Sequence, residues 1–110
     1  MSRSDSVYIE DILESITIID NYITEKTEFD FITDMMMQDA VIRRFEIIGE
    51  AATKISEAVK TANPNVQWRL MKAMRNKLIH EYFGVSASTI YTTVKSDLPI
   101  LKDQLSKIKL

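Results

Sequence analysis

The sequence contains one histidine, His80, in the stretch WRLMKAMRNKLIHEYFG. Imidazole has an ordinary pKa of about 6.5, which suits it to take or give a proton at neutral pH. In a helix each residue turns by roughly 100°, so Met74, Leu78 and Tyr82 share one row with Met71 nearby, while Lys72, Asn76 and His80 share another about 160° away. The apolar row is the natural core face. Arg75 falls between the two, and a Lys, Asn, His row flanked by Arg has the makings of an anion-binding face. Asn76 stands four residues before His80, where its amide can reach the imidazole and bias its tautomer or orientation. Each residue also has a plainer reading. A lone helical histidine is ordinarily a surface or satisfied side chain, and Arg75 could form a surface ion pair with Glu81 or another acid. Asn76 could simply be solvated, and Tyr82 could be a core aromatic with its hydroxyl at the rim.

Four helical stretches are expected to position these residues. From Val7 to about Lys26, Ile9, Ile12, Leu13, Ile16, Ile19 and Ile23 recur at three- and four-residue intervals, which is one helical stripe, with Ser4 or Asp5 as its N-cap. A break around Thr27 to Phe31 follows. The second and longest helix is expected from about Thr33 to Ala62, with Met36, Ala40, Ile47, Ala51, Ile55 and Val59 among its buried positions. The Met35-Met36-Met37 run reads as core filling more simply than as a soft interaction surface. Gly49 costs this helix about 1 kcal/mol relative to Ala, which points to a close helix crossing there. Asn63-Pro64-Asn65 ends it. The third helix is expected from about Val66 to Phe83, stopped by Gly84 at the left-handed C′ position. The fourth begins near Ser86 or Ser88 and carries Ile90, Val94, Leu98, Leu101, Leu105 and Ile108. Pro99 either kinks it or starts a separate terminal helix capped by Ser96 or Asp97. The fold class is therefore all-α, and short connections between long helices favour an antiparallel bundle of four to five helices.

Length and composition bound the function. The chain of 110 residues fits one domain, 1–110, because a single core typically serves about 100–150 residues. Cysteine is absent, which removes disulfides, thiolate metal sites and thiol nucleophiles and fits a reducing compartment, so a cytoplasmic location is expected. The N-terminus has acids where a signal peptide needs an apolar core, and no segment approaches the roughly 18 apolar residues of a membrane span. With no Cys, one His and scattered acids, no metal and no cofactor are expected. A serine triad is unsupported too, since Ser86 and Ser88 read as caps. The net charge of −2 argues against a general nucleic-acid coat protein, but its distribution is uneven. Residues 41–80 carry eight Lys or Arg against Glu46, Glu50 and Glu57, whereas the rest carries six bases against thirteen acids. That central excess of cations fits either solvated helix faces or a segment that meets a polyanion.

Arg75, four residues, His80, one residue, then Tyr82, with a polar residue directly after the Arg, resembles the signature of HepT-like proteins of the HEPN superfamily. The stretch DAVIRRFEIIGEAATKIS, the Pro before NVQWRLM and the later TVKSDLPILKDQL are similar to family patterns in the same order and spacing. The resemblance covers about residues 5–108 with no departure from the motif. Arg, four residues, His alone would recur by chance in helices; the extended frame makes the match specific.

The resemblance implies a four- to five-helix HEPN bundle that forms a homodimer with both Arg–His motifs facing a shared cleft. It implies a metal-independent endoribonuclease, the toxin of a type VII-like toxin–antitoxin pair, with RNA (tRNA or mRNA) as substrate. His80 would be the general base or acid, Arg75 the charge stabiliser, and Asn76 and Lys72 supporting residues. It also implies a nucleotidyltransferase antitoxin that transfers AMP to Tyr82. The residues themselves add that one histidine per chain supplies a two-imidazole mechanism only from two chains, and that Arg75 and His80 are about 140° apart around one helix. The competing reading is a catalytically inactive HEPN-fold dimer that binds or presents a nucleotidyltransferase.

Overall fold

The isoleucine stripe of the first helix is the spine of the fold. The computed structural model describes the backbone of residues 3–80 and 86–109 and the side chains of residues 5–76 and 86–109. In it α1 (Arg3–Ile23) buries Ile9, Ile12, Ile16, Ile19 and Ile23, each contributing roughly 1.5–3 kcal/mol through the water it sheds. Six further helices follow among the described residues: α2 (Glu28–Ile32), α3 (Met35–Lys54), α4 (Glu57–Ala62), α5 (Trp68–His80), α6 (Ala87–Ser96) and α7 (Leu98–Ser106). No strand occurs among the described residues, and the all-α expectation holds. Helix α3 lies between α1 and α5, while α6 packs on α2 and α7 returns to α1. The buried apolar side chains form one cluster.

Local chemistry explains the boundaries. The break expected around Thr27 to Phe31 contains α2, started by a capping box: Thr27 Oγ1 accepts from the Asp30 amide at 3.1 Å, and the Thr27 amide donates to Asp30 Oδ2 at 3.0 Å. Asp34 caps α3 by accepting from the Met37 amide at 3.0 Å. The long second helix expected from Thr33 to Ala62 is divided at Ile55 and Ser56. Asp5, expected as a cap of the first helix, is the cause. It sits inside the first turn of α1, nearly fully buried, and accepts from both the amide and the hydroxyl of Ser56 at 2.8 Å each. Ser56 takes extended backbone and becomes the N-cap of α4. A contact spanning 51 residues thus overrides a locally continuous helical pattern.

Of the buried positions expected for the long second helix, Ala51, Ile55 and Val59 are buried and Ala40 and Ile47 half-buried, and Met36 is the exception. Met36 is 82% exposed, whereas Val41, Phe45, Ile48 and Ala52 are buried. Met36 precedes Phe45 by nine residues, which places it about 180° around the helix from the core face. Met35 is exposed as well, and only Met37 of the run packs against the core. At the other end of the chain the reading holds: Ser86 caps α6 by accepting from the Thr89 amide, and Ile90, Val94, Leu98, Leu101 and Leu105 are buried in one stripe. Pro99 divides that stripe into two helices from the first turn of α7. Asp97 joins them without a side-chain cap of its own. Gly84, expected to stop the third helix, lies outside the described residues.

Candidate active site

Arg75, on α5, lays its stem across α3. Helices α3 and α5 run antiparallel, since Gly49 meets Arg75 while Ala52 and Thr53, further along α3, share a cleft with Trp68 at the start of α5. A Cβ on Gly49 would come within 2.2 Å of Arg75 Cβ and 2.8 Å of its Cγ. The glycine therefore serves the close crossing expected for it, and what it admits is the stem of the arginine.

Two side chains then fix the guanidinium. Nη1 donates to Glu50 Oε1 at 2.6 Å; Nε and Nη2 donate to Asn76 Oδ1 at 3.2 and 2.8 Å. A guanidinium only donates, so the Asn76 oxygen must face it. Three of the five N–H groups are used in this way. One N–H on Nη1 and one on Nη2 remain without a partner among the described residues. Arg75 is largely covered while Glu50 is half exposed, and an ion pair so open to water stabilises the fold by about 1 kcal/mol at most. Its physical consequence is orientation: a planar donor is held along two edges while two N–H groups stay unengaged by the described residues.

The other expected site residues are distributed around the same helix. Lys72 is exposed and Asn76 half-buried, while Met71, from the expected apolar row, is fully buried and Met74 packs on the core. Asn76 was expected to reach the imidazole; the structure brings its oxygen to Arg75, which leaves its NH2 as the only group it can offer elsewhere. His80 is the last described residue of α5, and its side chain lies outside the described residues, as does Tyr82. Glu50 is the site residue that sequence reasoning missed. Arg75 is expected to pair with Glu81 or another acid; among the described residues the acid that meets it is Glu50, from α3. The available signal was an acid next to a glycine inside a helix, at the predicted crossing.

Comparison with known proteins places the chain in a family. The profile of the family described as "Ribonuclease HepT-like" matches residues 12–108. A protein of Thermococcus cleftensis named "Probable ribonuclease HepT" is 45% identical over 109 residues, covering 99% of each chain. A Methanocaldococcus jannaschii protein named "Gamma-glutamylcyclotransferase and putative RNase" is 42% identical over 108 residues, which are 98% of this chain and 49% of that longer one. A "Putative RNase" of Caldanaerobacter subterraneus is 34% identical over 101 residues, covering 92% of this chain and 90% of the relative. No solved structure matches. The class is that of the HEPN helical proteins, and the chain belongs to its HepT-like ribonuclease family.

Proposed function

We propose that this protein is a metal-independent endoribonuclease acting in the cytoplasm as the toxin of a type VII-like toxin–antitoxin pair. The observation that carries the reading is the Arg75 guanidinium, braced by Glu50 and Asn76 with one N–H on each terminal nitrogen left without a partner among the described residues, five residues before the single histidine. In RNA, His80 takes the proton of the 2′-hydroxyl, and O2′ attacks the adjacent phosphorus as the bond from phosphorus to O5′ breaks. The products are a 2′,3′-cyclic phosphate and a 5′-hydroxyl whose proton comes from a second acid. The two spare N–H groups of Arg75 hold non-bridging oxygens as charge builds on them. Lys72 adds positive charge on the same helix.

One histidine per chain leaves the base and the acid to two chains, so the active form is a homodimer with both α5 helices at a shared cleft. Asn76, with its oxygen committed to Arg75, can only donate to His80, which selects the tautomer whose facing nitrogen carries the lone pair. Silencing follows from AMP transfer by a nucleotidyltransferase antitoxin to Tyr82. A phosphate-bearing group two residues from His80 opposes an anionic substrate by bulk and by like charge. The test is cleavage in EDTA of an end-labelled RNA and of the same strand carrying 2′-deoxyribose at the cleaved position. The reading expects cleavage of the first alone, with a cyclic phosphate end. Cleavage of both strands would overturn the 2′-hydroxyl mechanism, and activity lost with EDTA and restored by a divalent metal would overturn metal independence.

A further inference from the structure

Cationic charge collects a second time at the opposite end of α5 from His80. A cleft of about 280 Å³ opens between α3, α4 and the start of α5, and Lys60, Arg69 and Lys72 line it together with Glu57 and Trp68. Three cations thus face one carboxylate, in a chain whose net charge is −2. Glu57 is a weak opponent: it meets Lys60 at 3.7 Å and is itself 89% exposed. Arg69 and Lys72 have no ion pair with any described carboxylate. The wall behind them is fixed, because Trp68 Nε1 donates to the Asn63 carbonyl at 3.0 Å while the rest of the indole packs on the core. Unpaired cations on a rigid concave surface are a phosphate-binding arrangement.

The cleft continues the active-site face. Arg69, Lys72, Asn76 and His80 succeed one another at intervals of three, four and four residues, so they share one side of α5. At about 1.5 Å per residue, Lys72 and Arg69 lie roughly 4.5 and 9 Å along the axis from Arg75. A stacked strand rises about 3.4 Å along its axis per nucleotide, and neighbouring phosphates lie further apart than that through space, so an offset of this size corresponds to the next phosphate along the strand. The geometry points to a second phosphate subsite: an RNA strand whose scissile phosphate lies at Arg75 lays a neighbouring phosphate between Lys60, Arg69 and Lys72. This inference rests on the ribonuclease reading of Arg75 and His80. It assigns the cleft the role of favouring a strand over a dinucleotide.

The test compares wild type with Lys60→Gln, Arg69→Gln and the double variant, each first shown to melt as wild type does. Substrates are a single-stranded RNA of a dozen nucleotides and a dinucleotide with one phosphate; binding of a 2′-O-methyl strand of the same length, which this chemistry does not cut, is followed against salt. The double variant is expected to lose about tenfold or more of the preference for the long strand, through KM, and to flatten the slope of log Kd against log salt by about 0.7 for each lost phosphate contact. Arg69→Lys recovers most of the preference. An unchanged preference with an unchanged salt slope overturns the proposal. So does a double variant that binds RNA normally and has lost only its hold on a protein partner. If wild type cuts neither RNA, the ribonuclease reading fails by itself. The 2′-O-methyl strand then decides on the cleft: weaker, less salt-dependent binding by the double variant supports it, and identical binding overturns it.

Discussion

Arg75 Nη1 lies 2.6 Å from Glu50 Oε1 across the crossing of α3 and α5. The residue beside Glu50 is the glycine that lets the arginine stem lie there. Two consecutive residues of α3 thus set where the guanidinium is and which way it faces. Gly49→Ala tests the first of these. Alanine gains about 1 kcal/mol of helix propensity, but its Cβ would stand 2.2 Å from Arg75 Cβ. That atom moves only with its helix, and overpacking of this kind costs about 1–3 kcal/mol. The expected outcome is a lower denaturation midpoint together with a fall in RNA cleavage. A variant more stable than wild type with full activity would mean that the crossing relaxes freely.

Glu50→Gln separates orientation from stability. The amide still accepts a hydrogen bond from Nη1 but no longer attracts it by charge, and a half-exposed pair is worth about 0–1 kcal/mol. The melting temperature should therefore shift little, while kcat falls more than KM rises. Equal kcat in the two proteins would show that Asn76 alone orients the guanidinium.

Asp5 predicts a larger effect far from the site. Its carboxylate is buried and accepts both polar hydrogens of Ser56, so Asp5→Ala strands an amide and a hydroxyl at the α3–α4 break. Leaving such groups unsatisfied costs about 1–3 kcal/mol. Urea denaturation of Asp5→Ala, Ser56→Ala and the double variant reads this directly. The two losses should be less than additive, because the variants share one interaction.

The register of α3 is checked by a pair of substitutions. Phe45 is 1% exposed and Met36 82%, so Phe45→Ala should cost about 3–5 kcal/mol. Met36→Ser should stay within about 0.5 kcal/mol of wild type. The reverse order would place the core on the other face of α3.

Regulation through Tyr82 is checked by intact mass after incubation with the cognate nucleotidyltransferase and ATP. One adenylyl addition on wild type, absent from Tyr82→Phe and accompanied by lost RNA cleavage, is the expected result. No addition, or equal addition on both, would remove Tyr82 from the account.

What the sequence makes legible follows from the range of the forces involved. The isoleucines of α1 and the stripe from Ile90 to Leu105 are periodic in themselves, and Ser86 and Pro99 mark boundaries by local chemistry. All of these read correctly from neighbours a few residues away. The division of α3 from α4 depends on Asp5, 51 residues from Ser56, and no local pattern records it. The same holds at the site. Gly49 announces the crossing, whereas the anion-binding face read from Lys72, Asn76 and His80 beside Arg75 stands as a proposal. The pairing of Arg75 with Glu50 spans 25 residues and exists only once α3 and α5 are packed. Met36 was misread for a different reason. A methionine run fits almost any apolar stripe, and Phe45, the bulkier residue on the opposite side, was the better guide to the core face.

The most direct test of the central claim is to incubate wild type and His80→Ala, purified in parallel without the antitoxin, with end-labelled tRNA and an mRNA fragment in EDTA. The account predicts cleavage by wild type and none by His80→Ala at equal foldedness. Equal cleavage by both proteins, or no cleavage by unmodified wild type on either RNA, would contradict it.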